Sequence, residues 1–107
     1  MPNTITWVEI PVKNFQRAKK FYETILNAKI ELVPGGGGAI VEGKDYKPSK
    51  KGSLVYLSCG NDLTKPLSRV EKAGGKIVML KTANGGFGFI ALFTDTEGNK
   101  IGFHSPN

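Results

Sequence analysis

Apolar and polar residues alternate near the start of the chain in a way that is typical of a β-strand. Residues 5–12 (ITWVEIPV) are rich in β-branched and aromatic side chains, which favour strands. Because successive side chains of a strand point to opposite faces, Val8 and Ile10 would share one face, and Trp7 and Glu9 the other. The sequence therefore predicts a strand over residues 5–12.

Two later segments carry apolar residues at helical spacing. The first follows Asn14, a good N-cap residue, and Asn27 can adopt the left-handed conformation that ends a helix. The second begins near Asp62 or Thr64 and ends at the glycines 74–75. The predicted apolar stripes are Ala18, Phe21, Tyr22, Ile25 and Leu26 in the first helix, and Leu63, Leu67, Val70 and Ala73 in the second.

Six further segments have the composition of strands. They are residues 29–33, 39–42, 52–59, 76–80, 87–94 and 100–104. The glycines 35–38 are interpreted as a flexible turn, because a strand-like run follows them and not the helix that a phosphate-binding loop requires. Residues 95–99 (DTEGN) have the composition of a turn.

The order strand, capped helix, strand occurs twice. Ile30 in the first half corresponds to Ile77 in the second, an offset of 77 − 30 = 47 residues. A repeated unit that cannot cover its own sheet is expected to pack against its copy. We therefore predict one domain over residues 1–107, made of two modules at about 1–47 and 48–107. The modules would form one curved sheet with the helices outside and a cleft inside.

Charge and cysteine content limit the partners. The chain has 107 residues and a net charge of +6, which favours anionic small molecules or nucleic acid. No nucleic-acid-binding motif is present, so we expect no nucleic acid partner, and the lysine-rich segment 44–51 is interpreted as a solvated loop.

Cys59, the single cysteine, is expected to be buried, and such sparing use fits a reducing cytosol. No signal or membrane-spanning segment is visible. We expect a cytoplasmic protein that does not enter membranes.

Three segments resemble a known family. VEIPVKNFQRAKKFYETIL (8–26), VEKAGGKIV (70–78) and FTDTEGNKIGFHSP (93–106) are similar, in that order, to segments of the vicinal-oxygen-chelate superfamily, which includes glyoxalases, bleomycin resistance proteins and dioxygenases. The resemblance implies an α+β fold in which paired βαβββ modules form a curved mixed sheet around a cleft, with the helices outside. There is little room between the first helix and the glycines, so the first module is expected to lack one strand.

The resemblance also locates the metal-ligand positions of the family. They fall on Trp7, Leu54 and Gly102, and the remaining position lies near residues 40–42, where Glu42 is the only donor. Tryptophan, leucine and glycine side chains cannot bind a metal. We therefore expect no metal and no other cofactor, and no metal-dependent isomerase, dioxygenase or thiol-transfer reaction of the usual kind.

Polar and aromatic residues remain beside these positions. Strand periodicity places Glu9, Tyr56 and His104 two residues beyond Trp7, Leu54 and Gly102, on the predicted cleft face. The three could act as an acid–base set or orient a polar ligand. Trp7 could stack on a planar ligand or fill the space of the metal, and Phe89 could form the cleft rim or belong to the core.

The function predicted from these observations is binding of a small aromatic or anionic molecule without a metal. The predicted ligand-binding residues are Trp7, Glu9, Leu54, Tyr56, Phe89, Gly102 and His104. The alternative is a lyase, isomerase or dioxygenase-like enzyme that uses a displaced metal site or the Glu9, Tyr56 and His104 set. The resemblance also implies a homodimer.

Overall fold

The structure, a computed structural model, describes residues 5–31 and 37–107. In chain order these residues form β1 (Val8–Val12), α1 (Phe15–Leu26), β2 (Gly38–Glu42), β3 (Val55–Ser58), α2 (Thr64–Arg69), β4 (Lys76–Ala83), β5 (Phe89–Thr94) and β6 (Lys100–Ser105). No helix in this described part is long and apolar enough to cross a bilayer.

The strands form two sheets. β1 and β2 pair in parallel, with Val8 opposite Gly38, and the other sheet has the order β3-β6-β5-β4. β3 and β6 are parallel, whereas the β4–β5 and β5–β6 pairs are antiparallel. The mixed α+β fold is therefore confirmed. Within residues 5–31 and 37–107, however, the strands form two separate sheets and not the single curved sheet that we predicted.

The two halves repeat one another incompletely. The parallel pair β1–β2 corresponds to the pair β3–β6, which holds the first and last strands of the second half. The described part of the first half thus lacks counterparts of both β4 and β5, one strand more than we expected, because only residues 27–37 separate α1 from β2. Residues 29–31 of the strand predicted at 29–33 are not in a strand, and residues 32 and 33 lie outside the described ranges.

The ends of α1 follow from its capping residues, as predicted. The Asn14 side chain accepts a hydrogen bond from the Arg17 backbone N–H at 3.0 Å, and Asn27 has a φ of 51°, so both ends of the helix have partners for their free backbone groups. For α2 the N-cap position is Leu63, without a side-chain cap. Asp62 instead accepts from the Thr64 backbone N–H at 2.9 Å in the turn before the helix.

The two halves share one hydrophobic core. The Phe93 ring on β5 lies 6.1 Å from the Phe21 ring of α1 and 4.7 Å from the Phe103 ring of β6, measured between centroids. All three side chains are almost completely buried, and each contributes about 2–3 kcal/mol through removal of apolar surface from water. The ring contact between Phe21 and Phe93 therefore joins the first helix to the second half of the chain.

Pairing shifted several predicted strand ends. The segment predicted at 52–59 is a strand only over Val55–Ser58, where β6 pairs with it. β4 extends three residues beyond the predicted 76–80 because it pairs with β5 as far as Ala83. β5 begins at Phe89, two residues later than predicted, because Phe87 belongs to the turn of the β4–β5 hairpin.

Candidate ligand-binding site

A cavity of about 440 Å³ lies where the two sheets meet. β1 and β3, the first strands of the two halves, belong to different sheets and are not paired with each other. Side chains therefore line the space between them. The wall is mainly apolar and includes Val8, Ile10, Leu26, Ile30, Val55 and Leu57. A space of this size and lining suits a small organic molecule.

Tyr56 also lines this cavity and lies against Gly102, its partner in the β3–β6 ladder. A Cβ atom added at Gly102 would lie only 2.4 Å from the Tyr56 ring. The aromatic ring thus occupies the place where a side chain at position 102 would begin. By the resemblance, position 102 corresponds to a metal-binding glutamate, and such a side chain would require Tyr56 to move.

Glu9 is held by two aromatic neighbours. Its carboxylate accepts hydrogen bonds from the Trp7 indole N–H at 3.2 Å and from the Tyr46 hydroxyl at 2.9 Å. The bond to Glu9 raises the pKa of the Tyr46 phenol. The sequence analysis did not identify Tyr46, because its partner lies 37 positions earlier in the chain. Trp7, half exposed, is therefore oriented at the start of β1.

The predicted acid–base set is not a connected cluster. Tyr56 and His104 share one face of the four-stranded sheet, and His104 Nε2 lies 2.6 Å from the Phe87 carbonyl oxygen. Glu9 belongs to the other sheet. In the described ranges no hydrogen bond joins any two of the three side chains.

The two remaining predicted ligand-binding residues, Leu54 and Phe89, lie in different parts of the second half. Leu54 is half-buried and directly precedes β3. Phe89 packs against the core cluster, and the Lys81 ammonium lies 4.8 Å from the centroid of its ring.

A second cavity of about 260 Å³ shares part of its lining with the first and is more polar. Lys47 and Lys51, from the segment between β2 and β3, line it together with Lys100 of β6. We interpreted the segment 44–51 as a solvated loop, and the structure places two of its lysines at this cavity. The clustering of lysines was the available signal, but Lys100 is distant in sequence, so its place in the group could not be predicted.

Carboxylates and the thiol are not arranged as a metal site in the described part of the chain, where no group of three or more His, Cys, Asp or Glu side chains could hold an ion. Glu42, the one donor near residues 40–42, accepts the Phe15 backbone N–H at 2.6 Å at the start of α1. Burial raises the pKa of the Cys59 thiol to about 11, so this half-buried side chain is poorly suited to act as a nucleophile.

The sequence profile of the glyoxalase/bleomycin resistance protein/dioxygenase superfamily matches residues 4–103. The chain belongs to this superfamily. The resemblance drawn from the three sequence segments is therefore confirmed. The comparison with curated proteins gives no match.

Several solved structures have the same fold as this chain. A glyoxalase/bleomycin resistance protein from Albidiferax ferrireducens T118 is 16% identical, with a TM-score of 0.78 over 98% of this chain and 100% of that chain. Hypothetical protein SA1046 from S. aureus is 21% identical, with a TM-score of 0.69 over 98% and 94%. TnmS3, an antibiotic binding protein from Streptomyces sp. CB03234, is 20% identical, with a TM-score of 0.59 over 99% and 98%. At these identities the similarity establishes the fold.

Proposed function

We propose that this superfamily member binds a small aromatic or anionic molecule and needs no metal to do so. The observation that carries the proposal is the apolar cavity of about 440 Å³ between β1, β2, β3 and α1. Ligand pockets in proteins typically span about 300–1,000 Å³ and are mostly apolar with a few polar groups. The similarity in fold to an antibiotic binding protein supports the same kind of role.

The position of Glu9 favours binding over catalysis in this cavity. Glu9 is not among the residues that line it and bonds instead to Trp7 and Tyr46, whereas a general base must lie within hydrogen-bond reach of the proton that it removes. Tyr56 lines the cavity and is about half exposed, at 44%. An exposed aromatic face of this kind provides a stacking surface for a planar ligand.

A neutral fluorescent probe tests the cavity directly. N-phenyl-1-naphthylamine brightens when it leaves water, and we expect it to bind with a stoichiometry of one per chain. The variant Val8→Phe, which enlarges a side chain of the cavity wall, should weaken binding by about tenfold or more. Val78→Phe is the matched control, because Val78 is exposed on β4 and does not line the cavity.

The two variants should both keep the circular dichroism spectrum of the parent. If the probe fails to bind, or if Val8→Phe and Val78→Phe bind it equally well, the cavity is not a binding site and the proposal fails. Trp7, the single tryptophan, provides a second reading, since its emission should change when a ligand stacks nearby.

We also propose that the protein is a homodimer in the cytoplasm. Val78 and Leu80 are exposed by 52% and 69% on β4, which is an edge strand of the four-stranded sheet. Unpaired edges that carry apolar side chains favour pairing with another chain. The cytoplasmic location is proposed because the chain has a single cysteine, as is common in reducing compartments.

A further inference from the structure

Three lysines from separate parts of the chain line the second cavity. Lys47 and Lys51 reach it from the segment between β2 and β3, and Lys100 reaches it from the start of β6. Ser49 and Ser53 also line it. Ammonium and hydroxyl groups together can bind an oxyanion such as a carboxylate, sulfonate or phosphate.

Among the described residues these lysines have no acidic partner. Across residues 5–31 and 37–107 the ion pairs are Arg17–Glu97, Lys19–Glu23 and Lys81–Asp62. The acidic side chain that lines the cavity is Glu9, whose carboxylate bonds to Trp7 and Tyr46. Residues 1–4 and 32–36 contain no Asp or Glu.

The segment that carries Lys47 and Lys51 is attached to the body of the protein. The Ser49 backbone N–H donates to the Asn99 side-chain oxygen at 3.1 Å. Asn99 is buried, and its amide group donates to the Pro11 carbonyl at 2.7 Å. This attachment fixes the backbone of the segment beside the cavity before any ligand arrives, which lowers the entropy cost of ordering the segment on binding.

The two cavities share part of their lining. Val8, Ile10 and Val55 line both of them. We infer that the ligand is an amphipathic anion, whose apolar or aromatic part lies in the first cavity and whose anionic group lies among Lys47, Lys51 and Lys100. This inference rests on the proposed function, because it assumes that the first cavity binds a molecule. It adds the class of ligand and the residues that select it.

Two dyes that differ by one group provide the test. 1-Anilinonaphthalene-8-sulfonate carries a sulfonate on the ring system of neutral N-phenyl-1-naphthylamine. We expect the sulfonate to bind about tenfold more tightly than the neutral dye at low salt, and the advantage to shrink as salt screens the lysines. Replacing the three lysines together by glutamine should remove the advantage and leave the affinity for the neutral dye unchanged.

The matched control is the triple variant Lys20→Gln, Lys65→Gln and Lys72→Gln. These lysines are exposed and line neither cavity. Their replacement reduces the net charge by the same amount as replacement of Lys47, Lys51 and Lys100. If the control loses the sulfonate advantage to the same degree, the effect comes from overall charge and the inference is overturned.

The outcomes separate this inference from the proposed function. Binding of the neutral dye with no added affinity for the sulfonate would overturn the anionic subsite and leave the apolar cavity as a binding site. Failure of both dyes to bind would overturn both proposals. A Val8→Phe variant that loses both dyes, with the lysine variant losing only the sulfonate advantage, would support both.

Discussion

At the scale of single residues, Gly102 and Tyr56 form a contact that depends on the absence of a side chain. A Cβ atom at position 102 would lie 2.4 Å and 2.5 Å from two carbons of the Tyr56 ring, and 3.1 Å from the carbon that attaches the ring. The whole ring must therefore swing away if any larger residue replaces the glycine. Gly102 is in a strand, where a glycine normally weakens the structure, so the contact explains its presence.

This contact predicts the effect of Gly102→Ala. Without the clash, alanine would stabilise a strand, but overpacking of this kind typically costs about 1–3 kcal/mol. We therefore expect Gly102→Ala to lower the free energy of unfolding, measured by urea denaturation. In a Tyr56→Ala background the same substitution should cost much less. Equal costs in the two backgrounds would show that the ring does not restrict position 102.

At the scale of elements, Glu97 in the turn between β5 and β6 forms hydrogen bonds with the start of α1. The Glu97 carboxylate accepts the backbone N–H groups of Lys13 and Asn14, both at 2.8 Å, and the Arg17 guanidinium binds it at 2.7 Å. Burial would raise the pKa of Glu97, but the hydrogen bonds from Arg17, Asn14, Thr96 and Lys13 outweigh it and hold the pKa at about 2.

The lowered pKa of Glu97 predicts how stability depends on pH. The pKa of Glu97 in the folded state lies below its unfolded value of about 4.3. Its contribution to the free energy of unfolding is therefore fully present above pH 4.3 and declines as the pH falls towards about 2. We expect Glu97→Gln to cost about 2–3 kcal/mol near pH 7. The difference from the parent should shrink between about pH 4.5 and pH 2 in urea denaturation.

Glu71→Gln serves as the control for this measurement, since Glu71 is exposed. Its effect on the free energy of unfolding should be small at every pH. A cost of Glu97→Gln that stayed constant down to pH 2 would contradict the assignment, because it would mean that the stabilising role of Glu97 does not need its charge.

At the scale of the whole molecule, the edge strand β4 exposes the apolar side chains of Val78 and Leu80. If the proposed dimer forms through this edge, sedimentation velocity should give about twice the chain mass of 11.6 kDa. Leu80→Lys should shift the protein towards a monomer, because edge lysines oppose strand pairing. Phe87→Lys changes an exposed apolar residue in the hairpin turn and should leave the dimer intact. A monomeric parent protein would refute the proposal.

The candidate site could be predicted only in part, because strand periodicity is a local property and strand pairing is not. Tyr56 and His104 were placed on one face correctly, because alternation along a strand is a local property. Glu9 was assigned to the same cleft, and the structure places it in the other sheet, where it bonds to Tyr46. Whether two strands pair depends on the packing of the whole chain, and strand periodicity alone does not contain that information.

By itself the sequence determined both ends of α1 and the residues that α1 buries, because these depend on spacing and capping within a few positions. The three family segments, which recur in the same order, also identified the superfamily. Only the tertiary structure decided that the strands divide into two sheets, that Tyr56 covers Gly102, and that Lys47 and Lys100 meet at one cavity. Each of these results requires residues far apart in the chain to come together, and their positions are set by the shared core.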